Sequence, residues 1–182
     1  FRIASMTKPI TSAAVMLLIE QNKLKLNDPI SNLLPQLANR EIFTNFNFED
    51  GTYETRPAQN EITIKHLLTH TSGLPPFKRY FMMDEKIQTR LDSVFNTEPI
   101  YGLGDSTVYS DVGLITLGKL VERINGSSLD EFVDSLIFKP LGMNTTFFNP
   151  SKVKLRRILP TEIDPNGNLT HGYVHDENAY SL

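Results

Sequence analysis

Downstream of Pro9, the apolar residues Ile10, Ala13, Ala14, Leu17 and Leu18 recur at three- and four-residue steps. That period predicts a buried helix running to about Glu20. Pro9 suits its first turn, where a missing N–H has no intrahelical partner to lose. Asn22 to Asp28 reads as a turn, and Asp28 to Pro35 as a short helix bracketed by prolines. Residues 38–61 are polar and aromatic without a sustained period, which predicts a surface excursion with room for a short strand. A helix follows with Thr63 as N-cap, and Gly73, Pro75 and Pro76 as its stop. Within residues 84–96, Ile87, Leu91, Val94 and Phe95 fall on one helical face. From Asp111, the series Val112, Ile115, Thr116, Leu117, Leu120, Val121 and Ile124 predicts a strongly periodic helix stopped by Asn125-Gly126. Ser128-Leu129-Asp130-Glu131 reads as a capping box opening a helix to Ile137. In the tail, residues 158–163 and 168–174 read as two extended arms about Asp164-Pro165-Asn166-Gly167.

The 182 residues suffice for one domain with a sizeable core. The chain begins almost on its first chemical motif and stops at Tyr180-Ser181-Leu182 without a terminating signal, so it is expected to be a piece of a longer protein, incomplete at both ends. A net charge of −3 with 21% charged residues offers no electrostatic footprint for nucleic acid or anionic lipid. A neutral or modestly charged small substrate fits better. No apolar run approaches the length of a membrane span. The absence of cysteine removes thiol nucleophiles, disulfides and thiolate metal sites.

Ser5-Met6-Thr7-Lys8 sets a hydroxyl and an amine one helical turn apart, at the entrance of the first predicted helix. Serine becomes a nucleophile when a neighbour takes its proton, and a desolvated lysine can do so. The helix entrance adds unpaired N–H groups suited to an oxyanion. The bland alternative is an N-capping serine beside a solvated lysine. Ser151-Lys152-Val153-Lys154 repeats the spacing, with no apolar helix behind it. A second element is Tyr109-Ser110-Asp111, where a phenol at the mouth of a helix can be held as phenolate or relay a proton. Its alternative is a core tyrosine followed by an N-capping Ser or Asp. His66 and His70 have the spacing of a helical zinc pair, but Leu67 stands where a zincin needs its glutamate. His171 and His175 form a second such pair beside carboxylates, with no third ligand specified. Structural histidines are the expectation at both, with no metal and no cofactor.

Taken in order, Phe1-Arg2-Ile3-Ala4-Ser5-Met6-Thr7-Lys8, Leu67-Leu68-Thr69-His70-Thr71-Ser72-Gly73-Leu74, Tyr109-Ser110-Asp111, Phe138-Lys139-Pro140-Leu141-Gly142-Met143 and Thr146-Phe147-Phe148 closely resemble the serine β-lactamase and penicillin-binding-protein-like superfamily. The likeness is to its class C β-lactamase, DD-peptidase and family VIII esterase branch. The resemblance implies an α+β fold of which this chain supplies mainly the helical subdomain, as one β-lactamase-related domain with an extended segment at about 157–175. It implies Ser5 as the acylated nucleophile, with Lys8 its partner base and Tyr109 a second general acid/base, the last two acting as one coupled unit. The implied activity is hydrolysis of an ester, amide or peptidoglycan-type substrate, and an extracytoplasmic location.

Asp111 stands where class C enzymes usually have an asparagine that donates to the substrate. An ionised carboxylate cannot donate, so Asp111 is expected to hold Lys8 charged or to select another substrate. That tilts the reading toward an esterase or peptidase over a true β-lactamase. The family's third motif, a Lys- or His-containing triplet with glycine on an edge strand, is not found and is expected beyond Leu182. Its absence motivates the rival reading of a non-catalytic binding module that keeps the scaffold.

Overall fold

The computed structural model describes residues 1–46, 52–83, 86–164, 166–174 and 176–182. A 3-10 turn, Ala4–Met6, leads into α1, Thr7–Glu20. After two further 3-10 turns, Ile30–Asn32 and Pro35–Leu37, come β1, Glu41–Phe46, and β2, Tyr53–Pro57. The helices α2, Ile64–Leu68, α3, Ile87–Phe95, α4, Asp111–Asn125, and α5, Leu129–Val133, follow. The remainder holds α6, Lys152–Leu155, β3, Glu162–Ile163, β4, Leu169–Thr170, and α7, Glu177–Ser181. Mostly helical and with two small antiparallel sheets among the described residues, the chain has the architecture expected of a helical subdomain.

The core forms where α1 lies along α4. Ala14, Val15 and Leu18 of α1 are fully buried, as are Leu117, Leu120 and Val121 of α4. Gly118 permits this approach, since a Cβ there would already touch Leu129 at 3.4 Å and the Thr11 methyl at 4.0 Å. α2 packs Ile64 and Leu67 into the same cluster, and α5 adds Phe132 and Val133.

Several local expectations are met. Thr63 caps α2 in a reciprocal box with His66, Ser110 caps α4, and Gly126 ends α4 at φ 74° with its N–H on the Glu122 carbonyl. The tail arms pair as a short hairpin with Glu162 opposite Thr170 and Ile163 opposite Leu169. Asp164 braces the turn between them by accepting the N–H groups of Asn166 and Asn168; Pro165 lies outside the described residues.

Others differ for identifiable reasons. The expected helix between Asp28 and Pro35 is replaced by the two 3-10 turns, because Pro35 has no N–H to give and holds Leu34 extended at φ −125°, ψ 82°. The excursion carries two paired antiparallel strands, β1 and β2, rather than one short strand, their register shifting between Phe43 and Asn45. The helix after Thr63 stops at Leu68, and His70 turns left-handed at φ 58°. At Ser128 the capping box does not form: its side chain makes no cap bond, and the Leu129 N–H donates to Glu122 Oε1 instead, at 3.2 Å. The helix it opens passes into a π turn at Asp134–Phe138. The short helix α7, capped by Asp176, went unpredicted because five residues carry no readable period.

Candidate active site

The 3-10 turn before α1 explains how Ser5 meets Lys8. An α ladder through Ser5 would need an amide from Pro9, which has none, so the chain tightens to i→i+3 bonding. Residues three apart eclipse in such a turn, and Lys8 Nζ donates to Ser5 Oγ at 3.0 Å. Ala4, immediately before Ser5, sits at φ 44°. A left-handed alanine costs about 1 kcal/mol, so the approach to Ser5 is a strained one although Ala4 itself is exposed.

α4 brings the remaining groups. Asp111, its first residue, places Oδ1 2.7 Å from Lys8 Nζ. Tyr109, two residues earlier, lies beside the same amine, with Nζ 4.7 Å from the ring centroid. Its hydroxyl interacts with both Lys8 and Ser5. Thus Ser5, Lys8, Tyr109 and Asp111 converge although α1 and α4 are separated by about ninety residues.

Their charges are set by this contact. Burial alone would lower the Lys8 pKa, but Asp111 and Tyr109 outweigh it and hold Lys8 above its ordinary value. Tyr109 is lowered, chiefly by its hydrogen bonds to Lys8 and then Ser5, against a smaller burial effect and the opposing charge of Asp111. The arrangement therefore keeps the ammonium on Lys8 and eases the proton off Tyr109. An ammonium that already donates to Ser5 Oγ leaves the serine's own proton free for another acceptor.

A cleft of about 580 Å³ opens over these groups, with apolar walls from Ile3, Met6, Pro9 and Leu114. His70 also lines it. Residue patterns raised His70 as a structural histidine, with a metal partner as the alternative, and missed its place beside Tyr109, since nothing in the local pattern joins residues thirty-nine apart. A second cavity, of about 550 Å³, lies between Arg90 and α7, away from Ser5.

The competing motifs are directed elsewhere. Lys154 of the second Ser-x-x-Lys places Nζ 3.9 Å over the Phe147 ring, and Ser151 makes no cap bond. His66 and His70 do not share a helical face, because α2 ends between them. His66 Nδ1 lies 3.1 Å from the Thr63 N–H, whereas His70 Nδ1 lies 3.1 Å from that of Ser110. His171 Nε2 approaches the carbonyls of Leu155 and Ile158, at 3.1 and 2.8 Å, and His175 lies outside the described residues. Among the described residues no three metal-ligating side chains gather.

Comparison with known proteins identifies the family. A putative D-alanyl-D-alanine carboxypeptidase of Escherichia coli K12 is 32% identical over 98% of this chain and 40% of its own length. A lovastatin esterase of Penicillium rubens is 30% identical, over 90% of this chain and 43% of its own. The chain thus spans well under half of the curated relatives it matches. Among solved structures, the simvastatin synthase LovD of Aspergillus terreus superposes with a TM-score of 0.61 at 30% identity, covering 75% of this chain and 35% of that one. A family model described as Beta-lactamase matches residues 1–181, so the chain, with its Ser5–Lys8 turn facing Tyr109, belongs to the beta-lactamase family.

Proposed function

We propose that this chain carries the acylating centre of a serine hydrolase that cleaves esters or amides through a Ser5 acyl-enzyme. The observation that carries this reading is Ser5 Oγ held 3.0 Å from Lys8 Nζ with the Tyr109 hydroxyl on the same two groups. Relatives named as a carboxypeptidase and an esterase support a small-molecule ester or amide, or a peptidoglycan-type peptide, as substrate.

In the sequence we propose, Ser5 Oγ attacks the acyl carbon while its proton passes to the Tyr109 oxygen. Lys8 stays an ammonium throughout, holding Tyr109 ionised beforehand and stabilising the serine oxygen as it reacts. Tyr109 then protonates the leaving alcohol or amine. A water attacks the acyl-enzyme, Tyr109 takes its proton, and that proton returns to Ser5 Oγ as the acid leaves. The Ser5 N–H serves as one oxyanion donor at the helix entrance. Asp111 is engaged by Lys8 and acts on substrate only through that charge. The raised Lys8 pKa favours this division of labour over one in which Lys8 is the base.

The test is an active-site probe on the full natural protein. A fluorophosphonate is expected to add one covalent mass to Ser5, and Ser5→Ala to lose both the label and ester hydrolysis, by at least ~10³-fold. A folded protein whose Ser5 stays unlabelled, with hydrolysis indifferent to Ser5→Ala, would leave only the binding-module reading.

A further inference from the structure

His70 grips the chain on both sides of Tyr109. Its carbonyl accepts the Val108 N–H at 2.9 Å, and its Nδ1 accepts the Ser110 N–H at 3.1 Å. Between those two anchors its ring lies against the Tyr109 ring, with centroids 4.9 Å apart and planes at 35°. Tyr109 itself is half exposed, with little packing of its own to fix it. The geometry is possible because His70 is left-handed, at φ 58°, which presents its carbonyl and its ring to the same neighbouring segment.

We propose that His70 is a positioning residue for Tyr109, holding the phenol against Ser5 and Lys8 only while the imidazole is neutral. This rests on the acyl-enzyme reading for its catalytic consequence, though not for its structural one. An Nδ1 that accepts from a backbone N–H must be unprotonated, so a proton on the ring replaces the acceptor with a donor facing a donor. The charged or titratable groups facing His70 are Lys8 of α1, Asp111 of α4, and the Tyr109 phenol. Burial first, and then the Lys8 charge, lower the His70 pKa, against a weaker pull from Asp111. The neutral ring is therefore favoured near pH 7, and the clamp opens as pH falls through a His70 pKa that lies below its ordinary value.

The experiment combines kinetics with two resonances that do not depend on turnover, all on the full natural protein. In the wild type the Ser110 amide resonance is expected to shift in step with the His70 ring titration; an amide that ignores it overturns the proposal. In His70→Ala, the Tyr109 Cζ titration is expected to rise toward that of a free phenol, and kcat to fall roughly 10–100-fold with KM within about threefold. His70→Asn keeps both an acceptor and tolerance of the left-handed backbone. It is expected to restore Tyr109 titration and most of kcat. Below the His70 pKa, the wild-type slope of log kcat/KM against pH should steepen from one to two, and that steepening should vanish in His70→Asn.

A folded His70→Ala protein with an unchanged Tyr109 titration overturns the proposal. If the alanine variant does not fold, the wild-type Ser110 amide and the His70→Asn profile still decide it. A wild type that neither hydrolyses esters nor takes the fluorophosphonate overturns the acyl-enzyme reading alone, because the Ser110 and Tyr109 resonances still judge the clamp.

Discussion

At the residue scale the decisive contact is Lys8 with Asp111, at 2.7 Å. Both side chains keep partial exposure, 17% for Lys8 and 31% for Asp111, so water screens the pair without dissolving it. The carboxylate favours the protonated form of each group around it: it raises Lys8, and it opposes the lowering of Tyr109 and of His70. Activity that needs Tyr109 ionised and Lys8 charged should rise with pH through the Tyr109 pKa, below 10, and fall again above the raised Lys8 pKa. Asp111→Asn removes the charge that favours protons on both groups. Both limbs of the kcat/KM profile are therefore expected to move to lower pH, and a pH–rate series on the two proteins would read this directly. A profile that stays in place would mean that Asp111 does not set the charge of Lys8.

At the element scale, the site depends on how the segment after α2 is laid beside the start of α4. Ser110 is buried and works in both directions: its hydroxyl donates to the Pro75 carbonyl at 2.7 Å and accepts the Gly113 N–H at 3.1 Å. Ser110→Ala removes the N-cap and strands a carbonyl, which should cost about 1–2 kcal/mol, read as a lower urea midpoint at unchanged m. Gly73 turns the same segment at φ 76°, and a Cβ there would run into the Tyr101 carbonyl oxygen and crowd Pro99 Cβ at 3.1 Å. Gly73→Ala is expected to cost roughly 1–3 kcal/mol and to lower kcat as well, since the segment it bends carries His70. Stability and kcat both within error of wild type would contradict this account of the turn.

At the scale of the whole molecule, the separation of Ser5 and Lys8 from Tyr109 and Asp111 is set by the packing of α1 on α4. Leu117 of α4 is fully buried in the core that α1 and α4 share. Leu117→Ala should cost about 2–5 kcal/mol as transfer and cavity terms add, whereas Leu117→Met, of similar volume, should cost less than about 1.5. If the seam also spaces the site, kcat should follow the same order, with the alanine variant slower at temperatures where it remains folded. Equal kcat in the two variants would show that the site tolerates movement of α1 against α4.

Much of this was legible in residue order because it rests on local physics. Apolar periods mark α1, α3 and α4, and Thr63 and Gly126 mark where helices begin and end, since capping and left-handed stops involve neighbours in the chain. The Ser5–Lys8 pair is local too, three residues apart on one turn. Spacing alone could not separate it from Ser151 and Lys154, where only the apolar helix behind Ser5 favoured the first copy, and on the pattern at Ser128 local order was misleading, because Glu122 of the preceding helix supplied the acceptor instead. The resemblance implied Lys8 and Tyr109 as one unit and left Asp111 either on Lys8 or on substrate; tertiary structure decided that Asp111 lies on Lys8, and it alone brought His70 to Tyr109 rather than to His66. Those contacts join α1, the segment after α2 and the entrance of α4, distant in the chain and adjacent only once the apolar faces of α1, α2 and α4 share one core.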